Sequence, residues 1–130
     1  MSWIDLVQTE EASLEWRHIA LWNPSPRLRE IGDSLAQRLG CYCKTVEGDL
    51  AAWIEREKPE ILLADDTVEG AALLPPLAQK WRTGLARCFE VDLDLAQRVL
   101  VMKTRAYGGR LIVEYVCPEG RPQMALVSRS

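Results

Sequence analysis

The spacing of apolar residues predicts three successive strand and helix pairs in the first two-thirds of the chain. Short apolar runs typical of strands lie at residues 19–22, 41–46 and 61–64. The third run is unbroken, which is typical of a central parallel strand covered on both faces. Helical spacing follows each run, which predicts helices over residues 26–39, 50–58 and 73–81. In the third helix, Pro75 and Pro76 fit only the first turn.

Several helix ends can be predicted from capping residues. Ser25 before Pro26 is typical of an N-cap followed by the first helical residue, and Gly40 is typical of a C-cap. Asp49 is expected to cap the second helix. A short amphipathic helix is expected over residues 2–16.

After Gly84 the pattern changes to closely spaced strands. Four are expected, at residues 85–93, 99–104, 111–117 and 123–127, and Gly108-Gly109 and Pro118-Glu119-Gly120 mark turns between them. Strand and helix alternation followed by such strands predicts an α/β fold. We expect a three-layer sheet with a parallel core, extended by antiparallel hairpins at its C-terminal end.

Composition narrows the class of protein. The net charge is -3, which argues against a basic protein that binds nucleic acid. No apolar run is long enough to span a bilayer, and the first residues lack the regions of a secretory signal. We therefore expect one domain over residues 1–130, located in the cytoplasm, with reduced cysteines.

Residues suited to catalysis or metal binding are few. His18 is the sole histidine, and at the start of a strand it is expected to be a polar edge residue rather than a catalytic base. Cys41 and Cys43 would share one face of a strand, but Cys88 and Cys117 are distant, so buried thiols are favoured over a metal site. We expect no catalytic residue, no metal and no enzyme activity.

The carboxyl ends of the predicted parallel strands are a candidate nucleotide crevice, because open α/β sheets bind ligands there. Asn23, Ser25, Asp66 and Thr67 stand at these ends. The adjacent carboxylates of Asp65 and Asp66 are expected to stabilise the start of the following helix and to repel a phosphate. A charged capping loop is therefore favoured over an adenine-nucleotide site.

Five tryptophans are many for a chain of this length. Trp53 and Trp81 fall on apolar helical stripes and are expected in the core. Trp3, Trp16 and Trp22 are candidates for a subunit contact.

Two blocks in the second half have the order and spacing of a known family. The first contains Lys58-Pro59-Glu60-Ile61-Leu62-Leu63, Thr67, Gly70 and Thr83-Gly84-Leu85. The second contains Thr104-Arg105-Ala106-Tyr107-Gly108-Gly109 and Cys117-Pro118, followed by Gly120-Arg121-Pro122-Gln123-Met124-Ala125. These blocks resemble the amino-terminal domain of the α subunit of electron transfer flavoproteins. The motif positions are Thr67, Gly70, Thr83, Gly84, Arg105, Tyr107, Gly108, Gly109, Arg121, Pro122 and Gln123.

The resemblance implies a Rossmann-like fold of the adenine nucleotide alpha hydrolase-like type. In the family this domain is a scaffold that packs against the β subunit and supports a separate FAD domain. The chain ends about where the family crosses into that domain, so FAD is expected only in a partner or a missing domain, and no cofactor in this chain. The chain also departs from the family, with Asp65-Asp66 in place of a Gly-Ala pair, Ala71 in place of an arginine and Ala106 in place of a proline.

Three functions remain open at this point. The first is a scaffold or assembly domain without a redox centre that works with flavoprotein partners. The second is a small adenine-nucleotide-binding module, against which the paired aspartates argue, and the third is a folded relic without a redox role. A homodimer or a flavoprotein-type partner subunit is expected to cover leftover aromatic surface, with the candidates Trp3, Trp16, Trp22, Tyr107 and Tyr115.

Overall fold

A five-stranded parallel sheet lies at the centre of the structure, a computed structural model that describes residues 18–128. Its strands are β1 (Ile19–Trp22), β2 (Cys43–Thr45), β3 (Ile61–Asp65), β4 (Leu85–Cys88) and β8 (Gln123–Val127). They lie in the order β2-β1-β3-β8-β4, and each neighbouring pair is parallel. The helix expected over residues 2–16, with Trp3 and Trp16, lies outside the described residues.

Three helices connect these strands, and two of them follow the predicted caps. They are α1 (Pro26–Leu39), α2 (Leu50–Glu57) and α3 (Val68–Lys80). The Ser25 hydroxyl caps α1, and Gly40 ends it with a φ of 71°. The Asp49 carboxylate caps α2. Among residues 18–128, no helix is long and apolar enough to cross a membrane.

The third helix differs from the prediction. It begins at Val68 rather than at residue 73, and Pro75 and Pro76 lie inside it rather than in its first turn. Both prolines are exposed, so water can replace the hydrogen bonds that their missing amides leave open.

The parallel sheet is covered on both faces, which gives three layers. On one face, α2 and α3 contribute Trp53, Ile54 and Leu74 to a core with β3 and β8. On the other face, α1 contributes Leu28 and Leu35 to a core shared with a second sheet. All residues of β3 and β8 are buried, as expected for interior parallel strands. The predicted α/β class and parallel core are therefore confirmed.

The second sheet is antiparallel and consists of β5 (Glu90–Asp94), β6 (Val99–Ala106) and β7 (Leu111–Tyr115), in that order. These hairpins form a sheet of their own instead of extending the parallel sheet, and the final strand β8 lies parallel between β3 and β4. The strand predicted over residues 85–93 is divided at Phe89. The Cys88 carbonyl accepts from the Ser128 amide at 2.8 Å, whereas the Phe89 amide donates to the Lys103 carbonyl of β6 at 3.0 Å. The chain therefore changes sheets at this residue.

Candidate functional site

The strand-end crevice is closed by a carboxylate that faces the start of α1. Asp65 is the last residue of β3 and is only 6% exposed. Its Oδ2 accepts from the Ser25 amide at 2.7 Å, and its Oδ1 accepts from the Ser25 hydroxyl at 2.9 Å. Asn23, at the rim of the crevice, is exposed and has a φ of 45°. Asp65 thus occupies the positive end of α1, the place where a helix binds phosphate.

The expectation that both aspartates stabilise the helix that follows them is wrong. Asp65 faces α1, and Asp66 forms an ion pair with Arg87 of β4, with 2.9 Å between Oδ1 and Nη2. The cap of α3 is Thr67, whose hydroxyl accepts from the Gly70 amide at 3.1 Å. Asp65 therefore connects the end of β3 to the start of α1, and Asp66 connects it to β4, on the far side of β8.

The residues at this crevice do not fit the phosphates of an adenine nucleotide or of FAD. A phosphate at the start of α1 would compete with Asp65 for the Ser25 amide and hydroxyl, which both already donate to that carboxylate. It would also face the buried carboxylate of Asp65, which carries the same sign of charge. Of the other candidate residues, Asp66 pairs with Arg87 and Thr67 caps α3.

The motif residues Thr67 and Gly70 shape the entry of α3. A Cβ atom at Gly70 would lie 2.7 Å from the Asp65 carbonyl oxygen, closer than packed atoms approach. Glycine therefore lets the first turn of α3 lie directly against the end of β3. The same contact helps to hold Asp65 in position opposite Ser25.

The motif residues Thr83 and Gly84 pack against the loop before β8. The Gly84 amide donates to Cys117 Sγ at 3.2 Å, and the Thr83 hydroxyl lies 3.6 Å from the same sulfur. A Cβ atom at Gly120 would lie 2.6 Å from Thr83 Cα. Burial opposes ionisation of the Cys117 thiol, but the hydrogen bonds from Gly84, Thr83, Gly120 and Glu119 together outweigh it and lower the Cys117 pKa.

The motif residues Arg121 and Gln123 join the two sheets. Gln123 is fully buried, and its side chain accepts from the Leu100 amide at 2.7 Å and donates to the Arg98 carbonyl at 3.4 Å. Arg121 donates to the same carbonyl at 3.2 Å, and Pro122 between them is buried. Arg98 in turn binds the buried Glu60 carboxylate through two hydrogen bonds of 2.9 and 2.7 Å. This cluster lies at the amino end of β8, opposite the crevice.

The remaining motif residues form the hairpin between β6 and β7. The Arg105 guanidinium lies 4.0 Å from the centre of the Phe89 ring, next to the point where the chain changes sheets. Tyr107, Gly108 and Gly109 have φ values of 54°, 67° and 88°, a left-handed turn that favours glycine. The ring of Tyr107 is 80% exposed.

An open cavity of about 530 Å³ lies between β4 and the last residues of β7. Met102 and Thr104 of β6 line it together with Tyr115 and Cys117. Arg87 also lines it, and its guanidinium is bound by Asp66.

His18 is not the polar edge residue that the sequence predicts. It is buried beside the interior strand β1. Its ring stacks on the Tyr42 ring, with 6.0 Å between the ring centres, and lies edge-to-face with Trp53, with 5.8 Å between the ring centres. Its Nε2 has no hydrogen-bond partner among residues 18–128. Burial and the charge of Lys44 lower the His18 pKa, against a smaller opposite effect of Glu57. His18 therefore lies at the amino end of the sheet, away from the crevice.

The cysteines and tryptophans are mostly packed. In the described part of the chain, no three His, Cys, Asp or Glu side chains are grouped to hold a metal ion. Burial is the main cause that raises the pKa of Cys43 and Cys88 to about 11. Trp53 is buried as predicted, and Trp22 and Trp81 are partly buried against the same core, so Trp22 offers little free surface for a subunit contact.

Sequence reasoning missed the partners of three charged residues: Glu60, Arg87 and Arg98. Arg87 is a charged residue within an otherwise apolar strand, which is a signal that it has a specific partner. Glu60 and Arg98 lie 38 residues apart, and the local pattern gives no signal that they meet.

Comparison with known proteins agrees with the motif blocks. The family described as "Electron transfer flavoprotein domain" matches residues 44–130, more than half of the chain. The chain belongs to this electron transfer flavoprotein domain family. The match begins within β2, so the family assignment rests on everything from α2 onward, including the antiparallel sheet and β8.

Relatives of this flavoprotein-domain chain carry the name of the α subunit. The electron transfer flavoprotein subunit alpha of Clostridium acetobutylicum is 43% identical over 75 residues, 57% of this chain and 22% of the relative. That of Megasphaera elsdenii is 36% identical over 76 residues, 58% of this chain and 22% of the relative. Protein FixB of Clostridium saccharobutylicum is 41% identical over 71 residues, 54% of this chain and 21% of the relative. The match thus spans about a fifth of the length of these relatives.

Proposed function

We propose that this chain is a scaffold or assembly domain of the electron-transfer-flavoprotein type, which works with flavoprotein partners and holds no flavin itself. The observation that carries the proposal is the position of the family motifs. Thr67 and Gly70 shape a helix entry, Thr83 and Gly84 pack on a loop, and Gln123 joins the two sheets. Motifs used in this way support the fold rather than a reaction.

The second candidate function, an adenine-nucleotide-binding module, is less well supported. Its site would be the start of α1, and the Asp65 carboxylate already takes the two Ser25 donors there. We also propose that the chain catalyses no reaction on its own, since its sole histidine is buried against Tyr42 and Trp53 rather than in the crevice.

We propose that the partner is a flavoprotein subunit, because the relatives are named as α subunits of electron transfer flavoproteins. The proposed location is the cytoplasm, where cysteines stay reduced, and Cys41, Cys43, Cys88 and Cys117 are thiols in this structure.

The proposal can be tested by expressing the tagged chain alone and together with the electron transfer flavoprotein subunits of its source organism. Alone, the purified chain is expected to be colourless, without visible flavin bands. With the subunits, it is expected to elute from gel filtration together with a flavin-bearing chain at a fixed ratio. FAD retained by the chain expressed alone would contradict the proposal, and so would subunits that elute separately from it. Untagged chain in the same co-expression is the control for binding to the resin.

A further inference from the structure

We propose that the free edge of β7 is a self-association surface, on which a second copy of the chain pairs antiparallel to form a two-fold symmetric dimer. This inference is independent of the proposed scaffold function. β7 is the outer strand of the antiparallel sheet, and among residues 18–128 it pairs only with β6. Its other edge therefore offers backbone amides and carbonyls to another strand.

Apolar side chains are exposed along this strand on both of its faces. Leu111 and Tyr115, on the face that looks toward the core, are 48% and 50% exposed. Ile112, on the outer face, is 56% exposed, and Val116 just beyond the strand is 50% exposed. A strand that is apolar on both faces gains free energy when a neighbouring strand covers it.

The other strand edges of the described residues are better protected. Edge strand β5 carries three carboxylates in five residues, Glu90, Asp92 and Asp94, and charges on an edge strand oppose pairing. Edge strand β2 has only three residues, and edge strand β4 has only four, one of which is the charged Arg87. By contrast, β7 has a single charged residue, Glu114. Among these edges, β7 has the fewest features that oppose pairing with another strand, since it is five residues long and carries one charge.

The charges at β7 are self-complementary in one register. Arg110 directly precedes the strand, and both Arg110 and Glu114 are exposed. In an antiparallel pair centred on Ile112, each Arg110 lies opposite Glu114 of the second copy, two residues from the centre. Ile112 then faces its own symmetry mate on the same face of the sheet. The register thus combines an apolar contact at the two-fold axis with two flanking ion pairs.

This match is the reason for choosing a second copy as the occupant. A strand from another protein would need an acid and a base at the same spacing on either side of an apolar residue. The chain supplies that pattern by itself, and a self-complementary patch is what a two-fold dimer requires.

The test uses two single charge reversals, Arg110→Glu and Glu114→Lys, in sedimentation equilibrium. Wild type is expected to dimerise at micromolar concentration. Each variant alone is expected to raise the dimer dissociation constant at least about tenfold, because like charges then lie opposite each other at both flanking positions. An equimolar mixture of the two variants is expected to regain wild-type association. In the mixed dimer, both flanking pairs again have opposite charges.

The mixture also controls for effects inside one chain. Glu114 lies opposite Lys103 of β6, so Glu114→Lys also brings like charges together within the hairpin. That effect is present in the single variant and in the mixture alike, and it cannot restore association. Circular dichroism of each variant checks that the fold is kept, and Arg82→Glu, at an exposed position outside both sheets, is the matched charge control.

Three results would overturn the inference. A wild-type protein that stays monomeric up to the highest concentration measured would exclude the proposed dimer. Dimers that neither variant weakens would place the contact on another surface. Failure of the mixture to associate would exclude this register. None of these results affects binding of a flavoprotein subunit, so failure of this inference is distinct from failure of the proposed function.

Discussion

The Asp65 carboxylate accepts two hydrogen bonds from Ser25, a residue 40 positions earlier in the chain, at 2.7 and 2.9 Å. The contact joins the end of β3 to the start of α1 at the carboxyl edge of the sheet. Asp65 thus provides, from within the chain, a negative charge at a helix start, where helices in general can bind an anion.

Replacement of Asp65 by alanine is expected to destabilise the fold by about 1–3 kcal/mol, because the Ser25 amide then lacks its acceptor in a partly buried place. Urea unfolding followed by circular dichroism measures the change. Asp66→Ala is the matched control. It removes a neighbouring carboxylate whose partner Arg87 is largely exposed, and we expect a clearly smaller loss. Equal losses for the two variants would contradict the role given to Asp65.

Wild type is expected to show no saturable binding of AMP or ATP in calorimetry, because the donors at α1 are already bound by Asp65. The double variant Asp65→Ser with Asp66→Ser frees these donors and removes the repulsion. Nucleotide binding gained by this variant would support the argument. Tight saturable binding by wild type would show that the crevice accepts a nucleotide despite the carboxylate.

Cys117 is expected to react with iodoacetamide before Cys43 and Cys88 near neutral pH. Hydrogen bonds lower the pKa of Cys117 against the effect of burial. Burial is the main cause that raises the pKa of Cys43 and Cys88 to about 11. Since the thiolate is the reactive form, the thiol with the lowest pKa reacts first. Peptide mass spectrometry over a time course gives the three rates.

Thr83→Val tests the cause of the Cys117 reactivity. It removes one hydroxyl near the sulfur, so it is expected to slow alkylation of Cys117 near neutral pH and to have little effect at high pH, where the thiol is ionised in either protein. A rate that is unchanged near neutral pH would exclude a contribution of this hydroxyl.

The free energy of unfolding is expected to fall as the pH drops below 6.5, the ordinary pKa of histidine. Burial lowers the His18 pKa in the folded state, so the unfolded state binds the proton more readily, and protonation favours unfolding. The stabilising effect is complete above this pH and is lost as the pH falls toward the folded-state pKa. Urea unfolding between about pH 7.5 and pH 5.5 covers the range in which histidine titrates.

His18→Phe is the control for the pH dependence. It keeps a ring between Tyr42 and Trp53 but cannot be protonated. Its stability is therefore expected to change less than that of wild type over the same pH range. A slope that is the same in both proteins would assign the pH dependence to other groups.

Local features were predictable from the sequence because they depend on neighbouring residues. Ser25, Gly40 and Asp49 cap helices as predicted, and the unbroken apolar run from Ile61 is an interior strand. The caps follow from the unpaired backbone groups at a helix end, and the apolar run follows from the burial of a strand on both faces. The motif blocks added the family, because they lie in the segment that the family match covers.

Long-range features could not be predicted in this way. The apolar and polar pattern continues through Phe89, so it gives no sign that the chain leaves one sheet for another there. From the sequence, Asp65 is expected to interact with the helix that follows it, because sequence patterns indicate contacts between residues close together in the chain. The actual partner lies across the sheet, where only the order of strands brings it close.

The position of β8 makes residues 123–127 essential to the centre of the parallel sheet. β8 lies between β3 and β4, and within the described part of the chain β4 has no other partner in the parallel sheet. Until residues 123–127 have been synthesised and inserted, β4 cannot join that sheet, and the buried faces of β3 lack one neighbour. A nascent chain on the ribosome therefore exposes an open parallel sheet until β8 has emerged. Such late closure makes folding depend on contacts between distant segments, which form slowly, and leaves apolar edges accessible to other chains in the meantime.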